Sequence, residues 1–189
     1  MKPENRKNEI VKAAAKLFKE KGYSAVTMRD LAKDLGIKAS SLYNHISSKQ
    51  DLLSAIIISL AEEFTAEMET ILKSSANSIE KLKRIVSIHV CISSEHSNGM
   101  ASLNNDWMHL EHQLPYYLKL RSEYEDNFRR IILAGINTGE IKNEQAEVIL
   151  FSMLSTLRSL YLWIPNKEEV DTASLTNTLS EVLINGIAK

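Results

Sequence analysis

Residues 38–49 read "KASSLYNHISSK", a run of hydroxyls with one amide, one imidazole and a lysine at each end. Few of these groups suit a protein core, and their chemistry is recognition by hydrogen bonds and charge. The Asn44 amide can pair bidentately with the N6 and N7 edge of an adenine. The Ala39 methyl can meet a thymine methyl, and Ser40 and Ser41 can face either donors or acceptors. Arg29, Lys38, Tyr43, His45 and Lys49 suit phosphate oxygens, contacts that set position on a duplex rather than read its sequence. Thr27 opens the preceding helical segment, and the first N–H groups of that helix can also hold a phosphate.

Such side chains need a helix held out from the surface, and the flanking sequence supplies one. Thr27 is placed as the N-cap of a short helix, with Asp30 at the third helical position as an acidic form of the capping box. Met28, Leu31, Ala32 and Leu35 make its inner face. Gly36 ends it, because a tight turn requires a positive φ that glycine adopts without strain. Ala32, four positions earlier, lets two helices approach closely. A further helix is expected over about residues 38–45, packed by Leu42 and exposing Ala39, Ser40, Ser41, Asn44 and His45. Two helices about a glycine turn form a helix-turn-helix, whose second member can enter a major groove.

The rest of the chain reads as helical too. Of 189 residues, 44% are apolar and 25% charged, with only 6 Gly and 3 Pro, a composition that favours a globular helical fold over a sheet. Ile10, Ala13, Ala14, Leu17 and Phe18 make one face of a helix over residues 4–21, which Lys21-Gly22 stops. Further helices are expected over 48–72, 79–94, 100–111, from Pro115 to the "NTGEIKN" break, 144–163 and 173–187. The fold class is therefore all-α, with about nine helices and no strand.

The net charge of -1 conceals a division. Residues 1–50 hold 11 Lys and Arg against 5 Asp and Glu, or +6, and the remainder holds -7. A basic head on an acidic body points to a polyanion partner for the head. The single Cys91, in "VSIHVCIS", excludes an intrachain disulfide and is expected to be a buried structural thiol. The start "MKPENRKNEI" lacks the apolar core of a signal peptide. The longest apolar run, residues 52–61, is too short to span a bilayer. A cytoplasmic protein without a membrane partner is expected.

With these residues in place, "TMRDLAKDLGIKASSLYNHISSKQDLL" resembles the DNA-binding signature of the TetR (tetracycline repressor) family of bacterial transcription regulators. The shared features are Thr-Met-Arg at the second helix, Gly-Ile at the turn, Leu-Tyr-x-His in the recognition helix and Ser-Lys opening the fourth helix. The resemblance supports phosphate contacts for Thr27, Tyr43, His45 and Lys49. It also implies a helical body that binds a small effector and dimerises through its last two long helices. The corresponding division is a DNA-binding domain over 1–48 and an effector-binding and dimerisation domain over 49–189. Three positions depart from the pattern: Lys38 where a Ser or Thr cap is usual, Ser40 for Gly or Ala, and Ile46 for Phe.

The body carries its own signals. "EVILFSMLSTLRSLYLWI" is apolar on several faces, and the last helix repeats the pattern with Leu175, Leu179, Val182, Leu183 and Gly186. Together they suit a four-helix interface in a homodimer. His89, Asn104, Trp107, Met108, His112, Tyr116, Tyr117 and Tyr124 combine apolar bodies with polar tips and are candidates to line an effector pocket. His109 and His112 are three residues apart, but no compact further ligand set accompanies them. No metal, cofactor or catalytic residue is expected. The segment "LPYYLKLRSEYEDNFRRIILAGINTGEI" resembles those TetR-like regulators that sense fatty-acid, acyl-CoA or steroid intermediates.

These readings combine into a ligand-responsive homodimeric repressor rather than an enzyme. It would bind a palindromic double-stranded operator and be released by a small, largely apolar effector. Two rivals remain: a helical enzyme, which metal analysis would reveal, and a helical adaptor, which would show no sequence preference on DNA.

Overall fold

A computed structural model of the chain describes residues 3–167 and 169–188. The helices are α1 (Pro3–Lys21), α2 (Met28–Asp34), α3 (Ala39–Tyr43), α4 (Lys49–Lys73), α5 (Ser78–Glu95), α6 (Ser97–Asn105), α7 (Leu114–Thr138), α8 (Ala146–Arg158), α9 (Leu160–Trp163) and α10 (Thr172–Asn185). Among the described residues there is no strand, only an isolated antiparallel bridge between Ile141 and Ala188. The nine expected helices are present, the eighth being divided at Ser159 into α8 and α9. The sixth differs most. It ends at Asn105 and is followed by 3₁₀ turns at Trp107–His109 and Glu111–Gln113.

The chain forms two compact units, Met1–Ala61 with Asn98–Leu118, and Glu62–Ser97 with Lys119–Lys189. α4 and α7 each run from one unit into the other. In the first unit, Ile10, Ala14, Leu17 and Phe18 of α1 are buried, as are Leu31 and Ala32 of α2, Leu42 of α3 and Leu52, Leu53 and Ile57 of α4. These buried positions of α1, α2 and α3 are among those that the helical spacing selects.

In the second unit α5 lies against α8, α9 and α10, and Leu82, Ile85, Val86, Phe128, Ile132 and Leu157 are fully buried. α7 comes close to the chain at two places because position 135 is glycine. A Cβ there would lie 2.6 Å from Ile141 and 2.8 Å from Ser78. Cys91 corrects the sequence expectation, since it is exposed. The inward face of α5 is set by Leu82, Ile85, Val86, His89 and Ser93, and position 91 falls about 200° around the helix from position 89.

The apolar stretch of α8 and α9 divides between two faces. Ile149, Leu150, Met153, Leu154, Leu157, Leu160 and Tyr161 are buried, whereas Phe151 is 72% exposed and Leu162 and Trp163 are also outward. On α10, Ser180 and Ile184 are buried and Val182 is 69% exposed. Ala146–Asn166 is long and apolar enough to cross a bilayer by length and composition, a property that a search for uninterrupted apolar runs overlooks. Ser and Arg interrupt that stretch, and Arg158 is ion-paired to Glu125 at 2.5 Å.

Candidate nucleic-acid interface

Local chemistry fixes the two helices of the turn motif. Thr27 is extended, its N–H donates to Asp30 Oδ2 at 2.9 Å, and its hydroxyl accepts the Asp30 N–H at 3.2 Å. The same hydroxyl donates to Asp30 Oδ2 at 2.6 Å. This is a complete capping box. The hydrogen bonds from the Thr27 hydroxyl and N–H hold the Asp30 carboxyl below its ordinary pKa. At the far end of α2, Ile37 N–H donates to Ala32 O at 3.0 Å and Gly36 N–H to Lys33 O at 3.2 Å. Gly36 has φ +64. That nested pair with a left-handed residue is a Schellman ending, and it turns the chain into α3.

α3 is shorter than expected. It covers Ala39–Tyr43, with Asn44 and His45 in the turn that follows. Lys38 is its N-cap and makes no side-chain cap hydrogen bond, the consequence of lysine standing where a hydroxyl would serve. Leu42 is buried and anchors the helix, while Ser40, Ser41, Asn44 and His45 are exposed and Tyr43 is 54% exposed. Ala39 is half-buried, and Thr27, Arg29 and Lys38 are exposed. Nine of the ten candidate contact residues thus present groups on the surface of the first unit.

Lys49, expected to contact phosphate, has its ammonium engaged within the protein. Its ammonium donates to Tyr23 O and to Val26 O, both at 2.9 Å, and lies 4.3 Å from the centre of the Tyr23 ring. It braces the α1–α2 connection against the start of α4. Around this brace lie two residues that sequence reasoning passed over. Tyr23 OH donates to Gln50 Oε1 at 2.7 Å, and Gln50 Nε2 donates to His109 O at 2.6 Å. The Tyr23 ring meets Phe18 edge-on at 5.2 Å and stacks on His109 at 5.3 Å. Burial raises the Tyr23 pKa, and the charges of Glu111 and Asp106 add to the rise. A lone aromatic between the stop of α1 and the cap of α2, in "KGYSAVTM", was the available signal.

The eight candidate pocket residues do not behave as one set. In the second unit His89 and Tyr124 are buried together, with His89 Nε2 and Tyr124 OH 3.0 Å apart. Phe64 packs on both rings, at 4.7 Å and 5.8 Å. Burial pushes His89 down to a pKa of about 3, with the positive charge of Arg158 adding to the fall. Burial raises the Tyr124 phenol, against the pull of Arg158. Among the described residues neither His89 Nδ1 nor the Oγ of buried Ser93 has a hydrogen-bond partner, and each such buried donor costs on the order of 1–3 kcal/mol. Ser93 was missed, although a serine four residues after His89 on an apolar helix face is legible.

In the first unit Trp107 and half-buried Asn104 accompany buried Tyr117. Trp107 stacks on Tyr117 at 6.0 Å, Tyr117 OH donates to Leu103 O at 3.3 Å, and Asn104 Nδ2 donates to Met100 O at 2.8 Å. Met108, His112 and Tyr116 are exposed.

Two grooves mark the second unit. One of about 230 Å³ is lined by Thr156, Ser159, Leu160, Trp163, Leu175 and Leu179. The other, of about 350 Å³, runs between α7 and α8, with Arg121, Glu125, Arg129 and Arg158 above Leu150 and Leu154. Burial alone would raise the Glu125 carboxyl, but Arg158 and Arg121 together hold it below its ordinary pKa.

Comparison with known proteins agrees with both halves of the chain. Residues 10–56 match the sequence pattern of "Bacterial regulatory proteins, tetR family", and residues 75–187 match "Tetracyclin repressor-like, C-terminal domain". The "Fatty acid metabolism regulator protein" of Bacillus subtilis (strain 168) is 25% identical over 187 residues, covering 95% of this chain and 94% of its own. The structure of the ketosteroid transcriptional regulator KstR2 of Mycobacterium tuberculosis superposes with a TM-score of 0.91 at 21% identity, over 97% of this chain and 95% of that one. AibR in complex with isovaleryl coenzyme A and operator DNA superposes at 0.78 with 19% identity, over 94% and 97%. At these identities the two structures establish a shared fold.

Proposed function

This chain belongs to the tetR family of bacterial regulatory proteins, and we propose that within it the protein is a homodimeric, ligand-responsive repressor. The observation that carries the reading is α3. It is held by one buried leucine, positioned by a capping box and a Schellman turn, and otherwise presents Ala39, Ser40, Ser41 and Tyr43 on a basic head. Ala39, Ser40, Ser41 and Asn44 read bases, and Thr27, Arg29, Lys38, Tyr43 and His45 meet phosphates. Two copies of α3 in a dimer read the half-sites of a palindrome, because a two-fold protein matches a two-fold site. The functional division is 1–48 for DNA and 49–189 for effector and dimerisation, and the protein works in the cytoplasm by binding rather than catalysis.

The support for dimerisation is the outward apolar side chains of α8, α9 and α10, Phe151, Leu162 and Val182, which a second copy can cover. The effector is a small, largely apolar molecule of the fatty-acid, acyl-CoA or steroid kind, the chemistry that the names of the similar proteins carry. It acts through α4 and α7, the helices common to both units. A ligand changes operator affinity only by binding the two conformations unequally, and a hundredfold change needs about 2.7 kcal/mol of such difference. Selection of bound fragments from a random DNA pool tests the reading. A palindrome should emerge, and an unenriched pool would refute it.

A further inference from the structure

His89 and Ser93 lie one turn apart on the buried face of α5, and both side chains are enclosed, at 3% and 0% exposure. Phe64 covers the imidazole. The hydrogen bond to Tyr124 decides which imidazole nitrogen carries the proton. A phenol is the stronger donor, and the imidazole stays neutral through the physiological range. Tyr124 OH therefore donates to Nε2, which places the proton on Nδ1. Among the described residues, Nδ1–H and the Ser93 hydroxyl are then two unpartnered donors in an apolar interior. Two donors require an acceptor. An anion is disfavoured there, because the nearby Arg158 is already committed to Glu125 and a buried charge needs its own counter-charge.

We propose that His89 and Ser93 bind an uncharged acceptor oxygen of the effector, the carbonyl of a thioester or a ketone, through Nδ1–H and Oγ–H. This rests on the reading of the body as an effector-binding domain, and adds to it the functional group that is recognised. Tyr124 acts as a positioning residue, holding the imidazole in the tautomer that donates from Nδ1.

The test uses full-length protein and matched probes. Decanoyl-CoA is compared with the thioether S-decyl-CoA, which lacks only the carbonyl oxygen, and 2-undecanone with undecane. The two arms separate a thioester source from a ketone source. In at least one arm the carbonyl member should bind about tenfold more tightly or better, the worth of a buried hydrogen bond. Ser93→Ala should shrink that ratio. In wild-type protein labelled with nitrogen-15, the His89 Nδ1–H resonance should move with the carbonyl member and not with its partner. Equal binding within both pairs, or binding of no probe, overturns the assignment. So does an Nδ1–H signal that the bound carbonyl probe leaves unmoved, as when a fixed water holds both donors. The regulator reading falls separately, if DNA selection enriches no palindrome.

Discussion

Replacing Lys49 with Met removes the ammonium and keeps most of the apolar stem, so it isolates the brace between the α1–α2 connection and α4. The ammonium makes two hydrogen bonds of 2.9 Å, to Tyr23 O and Val26 O. Bonds from a charged donor contribute about 1.5–3 kcal/mol each. Lys49 is half-buried, so water can recover part of the bonding of both carbonyls, and the combined loss falls at or below the lower end of the sum, about 2–3 kcal/mol. The contact with the Tyr23 ring adds only about 0.5 kcal/mol at such a site. For a chain of this size the midpoint of thermal unfolding should fall by roughly 5–10 °C. Operator affinity should fall for all sequences alike, because the connection that precedes α2 loses its support.

The alternative role makes a different prediction, which gives the experiment its force. A lysine on a phosphate releases counterions, so its removal lowers the slope of log affinity against log salt by about 0.9 per contact, in each half of a dimer. A brace leaves that slope unchanged. Circular dichroism melting and operator binding from low to moderate salt measure both quantities on one preparation. An unchanged melting midpoint with a shallower salt slope would show the brace to be wrong and restore Lys49 to the DNA.

Asn44→Ala should cost roughly 1–3 kcal/mol on the selected operator and relax choice at one base pair per half-site; an unaltered selected sequence would show that Asn44 reads no base. Phe151→Glu should turn dimers into monomers or aggregates by light scattering, because it sets a charge in the middle of a proposed apolar interface; monomeric wild-type protein at micromolar concentration would contradict the interface. His89 has a folded pKa of about 3 against 6.5 unfolded, so the unfolded chain binds the extra proton between those values. Stability is therefore intact above about pH 6.5 and falls as pH drops, by roughly 1.4 kcal/mol per unit toward pH 3. His89→Gln should flatten that limb of the stability curve, and an unchanged limb would show that His89 is not held neutral.

The head was legible because its instructions are local. Thr27 and Asp30 are three residues apart, and the Schellman bonds at Gly36 and Ile37 reach back three and five. Each such device can be recognised from residue type and spacing alone. The same is true of the buried face of α1. Lys49 shows the limit even there. Its type suits a phosphate, but its partners Tyr23 and Val26 lie 26 and 23 residues away, and spacing along α4 says nothing about which carbonyls the folded chain brings to it.

In the body the deciding contacts are longer still. Gln50 reaches His109 across 59 residues, His89 reaches Tyr124 across 35, and Arg158 reaches Glu125 across 33. Aromatic content selected the region but not the phase, so Trp107 and Tyr117 stack while Met108 and Tyr116 face outward. The stronger signal lay in exceptions to an apolar pattern. Ser93 interrupts the inward face of α5, and Arg158 stands at the end of α8, whose buried residues are all apolar. A polar side chain in such a place must find a partner or raise the free energy of the fold. Arg158 finds Glu125, which makes it a structural tie. Ser93 and His89 Nδ1 find none among the described residues, and the same requirement that gives Arg158 its role directs that pair toward a partner from outside the fold.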